Sequence, residues 1–155
     1  MTVTVPDPVP AAALGVQIVI DCTDPSGLAE FWAEALAYVV EPPPPGFDSW
    51  DEFAEHIGIP PKDRDRLAAV VDPDRVRPRV LFQKVPETKE VKNRVHLDID
   101  VAPGIALDSE ERKAAARARS TQLTSRGATL LRELDEPAGW CLVMADPEGN
   151  EFCLH

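Results

Sequence analysis

A histidine and two aspartates alternate along residues 93–101, NRVHLDIDV, and could support acid–base chemistry. His96, Asp98 and Asp100 occupy every second position, with aliphatic residues between them, which is typical of a β-strand with one polar face. We expect Asp98, in the middle of the strand, to point into a cavity beside His96, since a buried carboxylate needs a partner, either this imidazole or an arginine. The pair could transfer protons, or it could simply satisfy two polar groups. Asp21 and Asp100 are expected at strand ends, in water.

An internal repeat indicates which strands accompany this one. Residues 16–21, VQIVID, align with residues 95–100, VHLDID, and residues 81–84, LFQK, align with residues 151–154, EFCL. The matches fall in the same order within two strand–helix–strand–strand–strand units, and a repeat of this kind determines the architecture. The sequence therefore predicts an α+β fold in which two βαβββ modules form a mixed, curved sheet.

The repeat also predicts the polar side chains of an enclosed cavity. In both first strands one face is regularly apolar, so we expect helices to cover that face alone. The other face is then directed into the space between the two modules. It carries Gln17 in the first module and His96 in the second, while Gln83 and Cys153 take the equivalent places in the last strands. The register at Gln83 could differ by one residue.

Two helices and a C-terminal hairpin are expected to complete the modules. The helices are predicted over residues 25–36 and from residue 108 or 109 to residue 125. Near the C-terminus the turn Asp146-Pro147-Glu148-Gly149 joins two runs, residues 140–145 and 150–155. Proline presets φ, glycine accepts a positive φ and aspartate can bind the turn amides, so the runs should form a hairpin.

A proline-rich insert interrupts the first module at residues 42–66. Its first four residues are prolines, which break regular pairing, and Asp48 or Ser49 could then cap a short helix that carries Trp50 and Phe53 on one side. The segment is too apolar for a plain linker, and we interpret it as a lid in which Trp50 could cover a flat or cationic ligand. Its apolar surface could instead form a dimer interface.

Composition restricts the partners and the location of the protein. The 155 residues carry a net charge of −11, so the chain should repel nucleic acid and anionic membranes. No transmembrane or signal-peptide pattern is present in the sequence, which favours the cytoplasm.

Cys22 and Cys141 are expected to be small core residues. The expected units are a flexible N-terminal arm, residues 1–13, and a single domain, residues 14–155. The domain consists of a first module at about residues 14–86 and a second module at about residues 93–155.

Several of these motifs together resemble the vicinal oxygen chelate superfamily, in its glyoxalase-like and bleomycin-resistance-like branch. The resemblance rests on residues 17–24 with Phe31 and Trp32, on the HLDIDV strand, on residues 127–129 and on DPEGNEF before the C-terminus. Metal-using members take one His or Gln ligand from each first strand and usually one Glu from each last strand. The resemblance implies that the corresponding positions here are Gln17, Gln83, His96 and Cys153.

Both carboxylates that the resemblance implies are missing, which disfavours a metal. Sites for Mg, Mn, Co or Ni depend on anionic oxygens, and two amides with one imidazole provide no neutralising charge. A thiolate at Cys153 would favour zinc, but one Cys and one His are fewer ligands than zinc usually has. We therefore expect no metal or other cofactor, keep a divalent metal as the disfavoured alternative, and assign no catalytic residue. We expect a protein that binds a small organic molecule between its modules through Gln17, Gln83, His96, Asp98, Cys153 and Trp50.

Two other functions stay open at the level of the sequence. Gln17 and His96 are residue types that metal-dependent relatives use, so the alternative is a metal-dependent lyase or dioxygenase. Paired βαβββ modules also often associate, so a third possibility is a structural or regulatory homodimer with no ligand of its own. The same fold hosts binding proteins and enzymes, and the fold alone does not choose between them.

Overall fold

The computed structural model describes residues 15–107, 109–137 and 139–155. The predicted flexible arm, residues 1–13, lies outside the described residues. Across the described part of the chain, eight strands and three α-helices follow the order of two βαβββ units. The predicted α+β class and the repeated topology are therefore confirmed.

The first module forms a four-stranded mixed sheet. Its strands are arranged β1-β4-β3-β2, with β1 and β4 parallel and the other neighbours antiparallel. The first helix begins where the sequence predicts, because the Asp24 carboxylate accepts a hydrogen bond from the Gly27 N–H at 3.2 Å. The elements, in chain order, are β1 (Ile18–Cys22), α1 (Pro25–Leu36), β2 (Val39–Val40), α2 (Trp50–His56), a 3-10 helix (Pro61–Asp63), β3 (Leu67–Val71) and β4 (Val80–Lys84).

The second module repeats the arrangement with a shorter first strand. Its elements are β5 (Leu97–Ile99), α3 (Glu110–Thr124), β6 (Thr129–Glu136), β7 (Gly139–Ala145) and β8 (Glu151–Leu154), in the sheet order β5-β8-β7-β6. The predicted strand over residues 93–101 is thus reduced to three residues, because its only ladder partner, β8, is four residues long. Within the described residues no ladder joins β1 to β5, and the predicted mixed sheet is present as two sheets.

An aromatic cluster joins the two modules in one hydrophobic core. Trp32 and Phe31 of α1 are buried, and Phe152 of β8 has no exposed surface. The Trp32 and Phe152 ring centroids lie 5.2 Å apart at 60°, and those of Phe31 and Phe152 lie 6.1 Å apart at 65°, both in edge geometry. The helix of the first module therefore packs on the last strand of the second.

The turn between β7 and β8 adds a polar link at the same place. Asp146 is 3% exposed, and its carboxylate accepts a hydrogen bond from the Trp32 indole N–H at 3.0 Å. It also accepts the backbone N–H groups of Glu148 and Asn150, both at 2.9 Å, while Gly149 adopts φ +88°. The predicted turn chemistry is confirmed, and the aspartate additionally binds the other module.

Glu148 in this turn makes a second link between the modules. Its carboxylate accepts hydrogen bonds from the Thr23 N–H and hydroxyl and from the Asp24 N–H, at 2.7 to 3.0 Å. These groups immediately precede α1, where a helix leaves its first N–H groups without internal partners. The turn therefore holds the start of α1.

A buried arginine anchors α3 in the second module. Arg112 is 2% exposed, and it donates to the Asp100 carboxylate at 2.6 Å and to the carbonyls of Ala102 and Ile105 at 2.8 and 2.6 Å. Burial would raise the pKa of Asp100, but hydrogen bonds from the Ala102 N–H and from Arg112 lower it overall. Asp100 is exposed at the end of the strand, as expected, but the sequence did not predict that α3 brings Arg112 to pair with it.

Candidate functional site

The structure distributes the predicted ligand-binding residues over two regions instead of one cavity. Trp50 and Gln83 line a large cavity beside the first sheet. His96, Asp98 and Cys153 form a cluster on the second sheet. The remaining residue, Gln17, binds an arginine at the edge of the first region.

The large cavity lies between α2 and strands β3 and β4, and its volume is about 1120 Å³. The predicted short helix is present, with Ser49 as its cap: the serine hydroxyl accepts the Glu52 N–H at 3.1 Å. The Trp50 indole N–H donates to the Glu41 carbonyl at 2.8 Å, which fixes the ring while 45% of the residue stays exposed. The apolar walls are formed by Trp50, Phe53 and Ile57 on the helix and by Leu67, Ala69 and Leu81 on the strands.

A charged network occupies the side of this cavity at the start of β4. The Arg79 guanidinium donates to the Glu41 carboxylate, with Nε at 3.1 and 3.0 Å and Nη2 at 2.5 Å. Its Nη1 donates to the Gln17 side-chain oxygen at 2.7 Å. Sequence reasoning missed Arg79 and Glu41. The parallel pairing of Ile18 with Val80 sets Gln17 beside Arg79, and the sequence carries no local signal for this register.

The ladder registers correct the predicted equivalence of Gln83 and Cys153. Val19 pairs with Leu81, whereas Gln83 pairs with Asp21, two residues further along the strand. In the second module Asp98, which aligns with Val19 in the repeat, pairs with Cys153. Leu81 is therefore the counterpart of Cys153. The short match of LFQK with EFCL misled the alignment, because side-chain identity is a weaker guide than strand pairing.

The second region is the cluster of His96, Asp98 and Cys153. His96 Nδ1 lies 3.0 Å from Asp98 Oδ1, and one ligand atom of each of the three residues lies within 4.8 Å of the others. The predicted His–Asp pair is therefore present. It is not buried, since the side chains of His96 and Asp98 are 42% and 56% exposed on the edge strand β5.

Cys141 also belongs to this region. It was expected in the core, but it is only partly buried, on the same face of β7 as Val143, the partner of Cys153. Burial, the Cys141 thiol and the Asp98 carboxylate together raise the pKa of Cys153 to about 12. The Cys153 thiol is therefore protonated at neutral pH and is a poor nucleophile by itself. Cys22, by contrast, is 3% exposed, as expected for a core residue.

A smaller cavity of about 410 Å³ lies between the two modules. It is lined by residues that include Val19 and Asp21 from the first module and Val95, His96 and Glu148 from the second. Asp98 and Cys153 do not line it in this structure. The cavity that the sequence predicts between the modules is therefore present, but it contains only one of the six predicted ligand-binding residues.

The donors do not fit the four-strand metal site that the resemblance implies. The Gln17 oxygen already accepts a hydrogen bond from Arg79, which would have to break before Gln17 could bind a metal ion. The β4 position equivalent to Cys153 is Leu81, which has no donor atom. Two of the four strands therefore supply no usable ligand.

The paired βαβββ topology and the sequence together identify the family. A family model described as a glyoxalase-like domain matches residues 17–155, so the chain belongs to the glyoxalase-like domain family. No curated protein sequence matches the chain. No helix in the described residues is long and apolar enough to cross a membrane.

Solved structures of the glyoxalase/bleomycin resistance/dioxygenase group share the fold at low identity. An enzyme of this group from Burkholderia phytofirmans PsJN is 18% identical with a TM-score of 0.57, over 89% of this chain and 94% of that chain. The bleomycin-binding protein of Streptomyces verticillus, complexed with copper(II)-bleomycin, is 14% identical with a TM-score of 0.51, over 93% and 96%. The fosfomycin resistance protein of Listeria monocytogenes, complexed with Mn(II) and a dihydroxypropylphosphonic acid, is 8% identical with a TM-score of 0.59, over 94% and 90%.

Proposed function

We propose that this glyoxalase-like protein binds a small organic molecule in the cavity under α2, without the four-strand metal site of metal-using relatives. The observation that carries the proposal is the cavity itself, a cleft of about 1120 Å³ that is bordered by apolar walls and a charged side. Binding sites for small molecules commonly have volumes of about 300–1,000 Å³ and combine apolar walls with a few placed polar groups. The cavity is large enough for such a molecule.

The lining favours a flat molecule that carries both donors and acceptors. The Trp50 and Phe53 rings, with centroids 5.9 Å apart, offer aromatic edges and faces on one side, opposite Leu81. The cavity is lined by equal numbers of basic and acidic residues. We therefore expect a neutral or zwitterionic ligand instead of a cationic one. The charged residues are the bases Arg64, Arg66, Arg79 and Lys84 and the acids Glu30, Glu41, Asp51 and Asp63.

Two proteins of similar fold support a binding role in general terms. The Streptomyces verticillus protein is complexed with copper(II)-bleomycin, and the Listeria monocytogenes protein with a phosphonic acid. Neither identity is high enough to transfer a ligand to this chain. The proposed ligand class therefore rests on the cavity lining alone.

Fluorescent aromatic probes test the proposal directly. We expect anilinonaphthalene sulfonate or a cationic counterpart, thioflavin T, to bind with about one probe per chain and to quench Trp50. Ala69→Leu places a larger side chain in the cavity and should weaken binding about ten-fold or more. Leu131→Ala, which truncates an exposed residue of β6, is the matched control and should leave binding unchanged. Equal binding by wild type and Ala69→Leu would contradict the proposal.

The alternative function is a metal-dependent lyase or dioxygenase. It is favoured by Gln17 and His96, which are suitable ligand types on the first strands, but it requires Gln17 to release Arg79. Metal-dependent turnover of an aldehyde–thiol adduct or of a catechol, abolished by Gln17→Ala, would favour this alternative. Homodimer formation stays a prediction from the sequence, which sedimentation of the untagged protein checks.

A further inference from the structure

Two adjacent strands bring three potential metal ligands to one patch of the second sheet. Asp98 of β5 and Cys153 of β8 are direct ladder partners. Cys141, two residues before the Cys153 partner Val143, is on the same face but lies on the side of Cys153 away from His96, so it does not belong to this group. His96 precedes Asp98 by two residues, and its imidazole is within hydrogen-bond distance of the Asp98 carboxylate.

This patch faces away from the core beneath α3. The alternate residues of β7 and β8 are fully buried and belong to the hydrophobic core, as shown by Leu142, Met144, Phe152 and Leu154. The ligands therefore lie on the face of the sheet opposite the core. The exposed side chains of His96 and Asp98 leave it accessible to an ion from solution.

The distances are close to those of a tetrahedral site. One atom each of His96, Asp98 and Cys153 lies within 4.8 Å of the others. Ligand atoms around a tetrahedral zinc ion, with bonds of about 2.0–2.3 Å, lie roughly 3.3–3.8 Å apart. A contraction of about 1 Å on exposed side chains would close the site.

From this geometry we propose that His96, Asp98 and Cys153 bind one zinc ion, with the fourth coordination position open to water. Imidazole, carboxylate and thiolate are the three ligand types that zinc uses, and thiolates disfavour magnesium and calcium. The site draws all of its ligands from the second module and needs neither Gln17 nor a residue of β4. It differs from the four-strand site of the resemblance, and it is independent of the organic ligand under α2.

Cobalt(II) reports the ligands directly, because a thiolate ligand gives an intense charge-transfer absorption and a tetrahedral site gives strong visible bands. The experiment uses the reduced, untagged, full-length protein. We expect one cobalt ion per chain with both absorptions, and displacement of the cobalt by zinc. Cys153→Ser should remove the charge-transfer band, whereas Cys141→Ser, which changes the neighbouring thiol outside the group, should keep it.

Controls separate this site from other cysteines and histidines of the chain. Cys22→Ala removes a buried thiol of the first module, and His56→Ala removes an exposed imidazole on α2. Both variants should bind cobalt like the wild type. Cobalt binding without a thiolate band, or an unchanged band in Cys153→Ser, would overturn the proposal.

A measurement on the wild-type protein covers the case in which a cysteine variant fails to fold. Zinc should slow the alkylation of Cys153 by iodoacetamide about ten-fold or more, because a metal-bound thiolate is shielded from the reagent. Peptide mass mapping identifies the modified cysteines. Alkylation of Cys153 at the same rate with and without zinc would overturn the proposal.

Discussion

The two βαβββ modules have the same strand order but different surfaces on their open faces. In the first module, α2 covers part of β3 and β4, and Arg79 occupies the start of β4 with its charge neutralised by Glu41. In the second module the corresponding face carries the cluster of His96, Asp98 and Cys153. A repeated topology thus determines where side chains project, while the residues at those positions determine the chemistry.

The turns before the last strands show the same contrast on a smaller scale. Asp72 and Asp146 are each 3% exposed, and each accepts N–H groups of its own turn. Only Asp146 also binds the other module, through Trp32. Each turn contains one residue with a left-handed backbone conformation. This residue is Arg75, with φ +57°, in the first turn and Gly149, with φ +88°, in the second.

The largest predicted effect comes from removing the intermodule carboxylate. Asp146→Ala leaves the buried Trp32 N–H and two turn amides without an acceptor, and should lower the free energy of unfolding by about 3–4 kcal/mol. Asp72→Ala is the matched change in the first module and should cost less, because it breaks no link between modules. Urea unfolding measures both. Equal losses of unfolding free energy in the two variants would contradict the proposed difference between the two turns.

Arg112→Ala should have the next largest effect. It removes the cation that binds Asp100 and the guanidinium donors of the Ile105 carbonyl, so we expect a loss of about 2–3 kcal/mol in unfolding free energy. Arg117→Ala, on the exposed side of the same helix, should cost less than about 1 kcal/mol. Losses of the same size for both variants, measured by urea unfolding, would show that burial does not distinguish the two arginines.

The dependence of stability on acid should reflect the same ion pair. Because the folded pKa of Asp100 is below its ordinary value of 3.8, this carboxylate stabilises the fold above that value, and its contribution disappears as the pH falls through the folded pKa. Asp100→Asn should therefore flatten the decline of unfolding free energy between about pH 5 and about pH 2. In the Arg112→Ala background the same substitution should have a smaller effect. An unchanged acid decline in Asp100→Asn would contradict this account.

The smallest predicted effect exchanges the residues of the two turns. Arg75→Gly relieves a left-handed conformation that costs a side-chain-bearing residue about 1 kcal/mol, partly offset by the entropy of glycine, so it should stabilise by about 0.5 kcal/mol. Gly149→Ala should destabilise by about 1 kcal/mol for the same reason. Thermal or urea unfolding measures both changes. If Arg75→Gly destabilises the protein, the ion pair between Arg75 and Glu41 contributes more than the backbone strain costs.

Local patterns in the sequence were sufficient for the elements of the fold. The caps of α1 and α3, the apolar spacing of α1 and the DPEG turn are determined by neighbours within a few residues. The first strand of the second module was predicted too long because its length depends on β8, a partner far away in the sequence.

The candidate site was less predictable because its contacts are nonlocal. The pairing of Gln17 with Arg79, and the position of Leu81 in place of Gln83, depend on the register between β1 and β4. The approach of Cys141 to Cys153 depends likewise on the register between β7 and β8. Periodicity predicted which face each side chain occupies, but it could not determine the neighbour on the next strand.

The central claim is that the organic ligand binds in the first module, in the cavity under α2. Amide-resolved NMR spectra of the wild-type protein, recorded while anilinonaphthalene sulfonate is added, test it most directly. The account predicts that the shifts change along α2 and at Ala69 and Leu81, and stay constant at His96, Asp98 and Cys153. Changes centred on the cavity between the modules, at Val19, Val95 and His96, would contradict it.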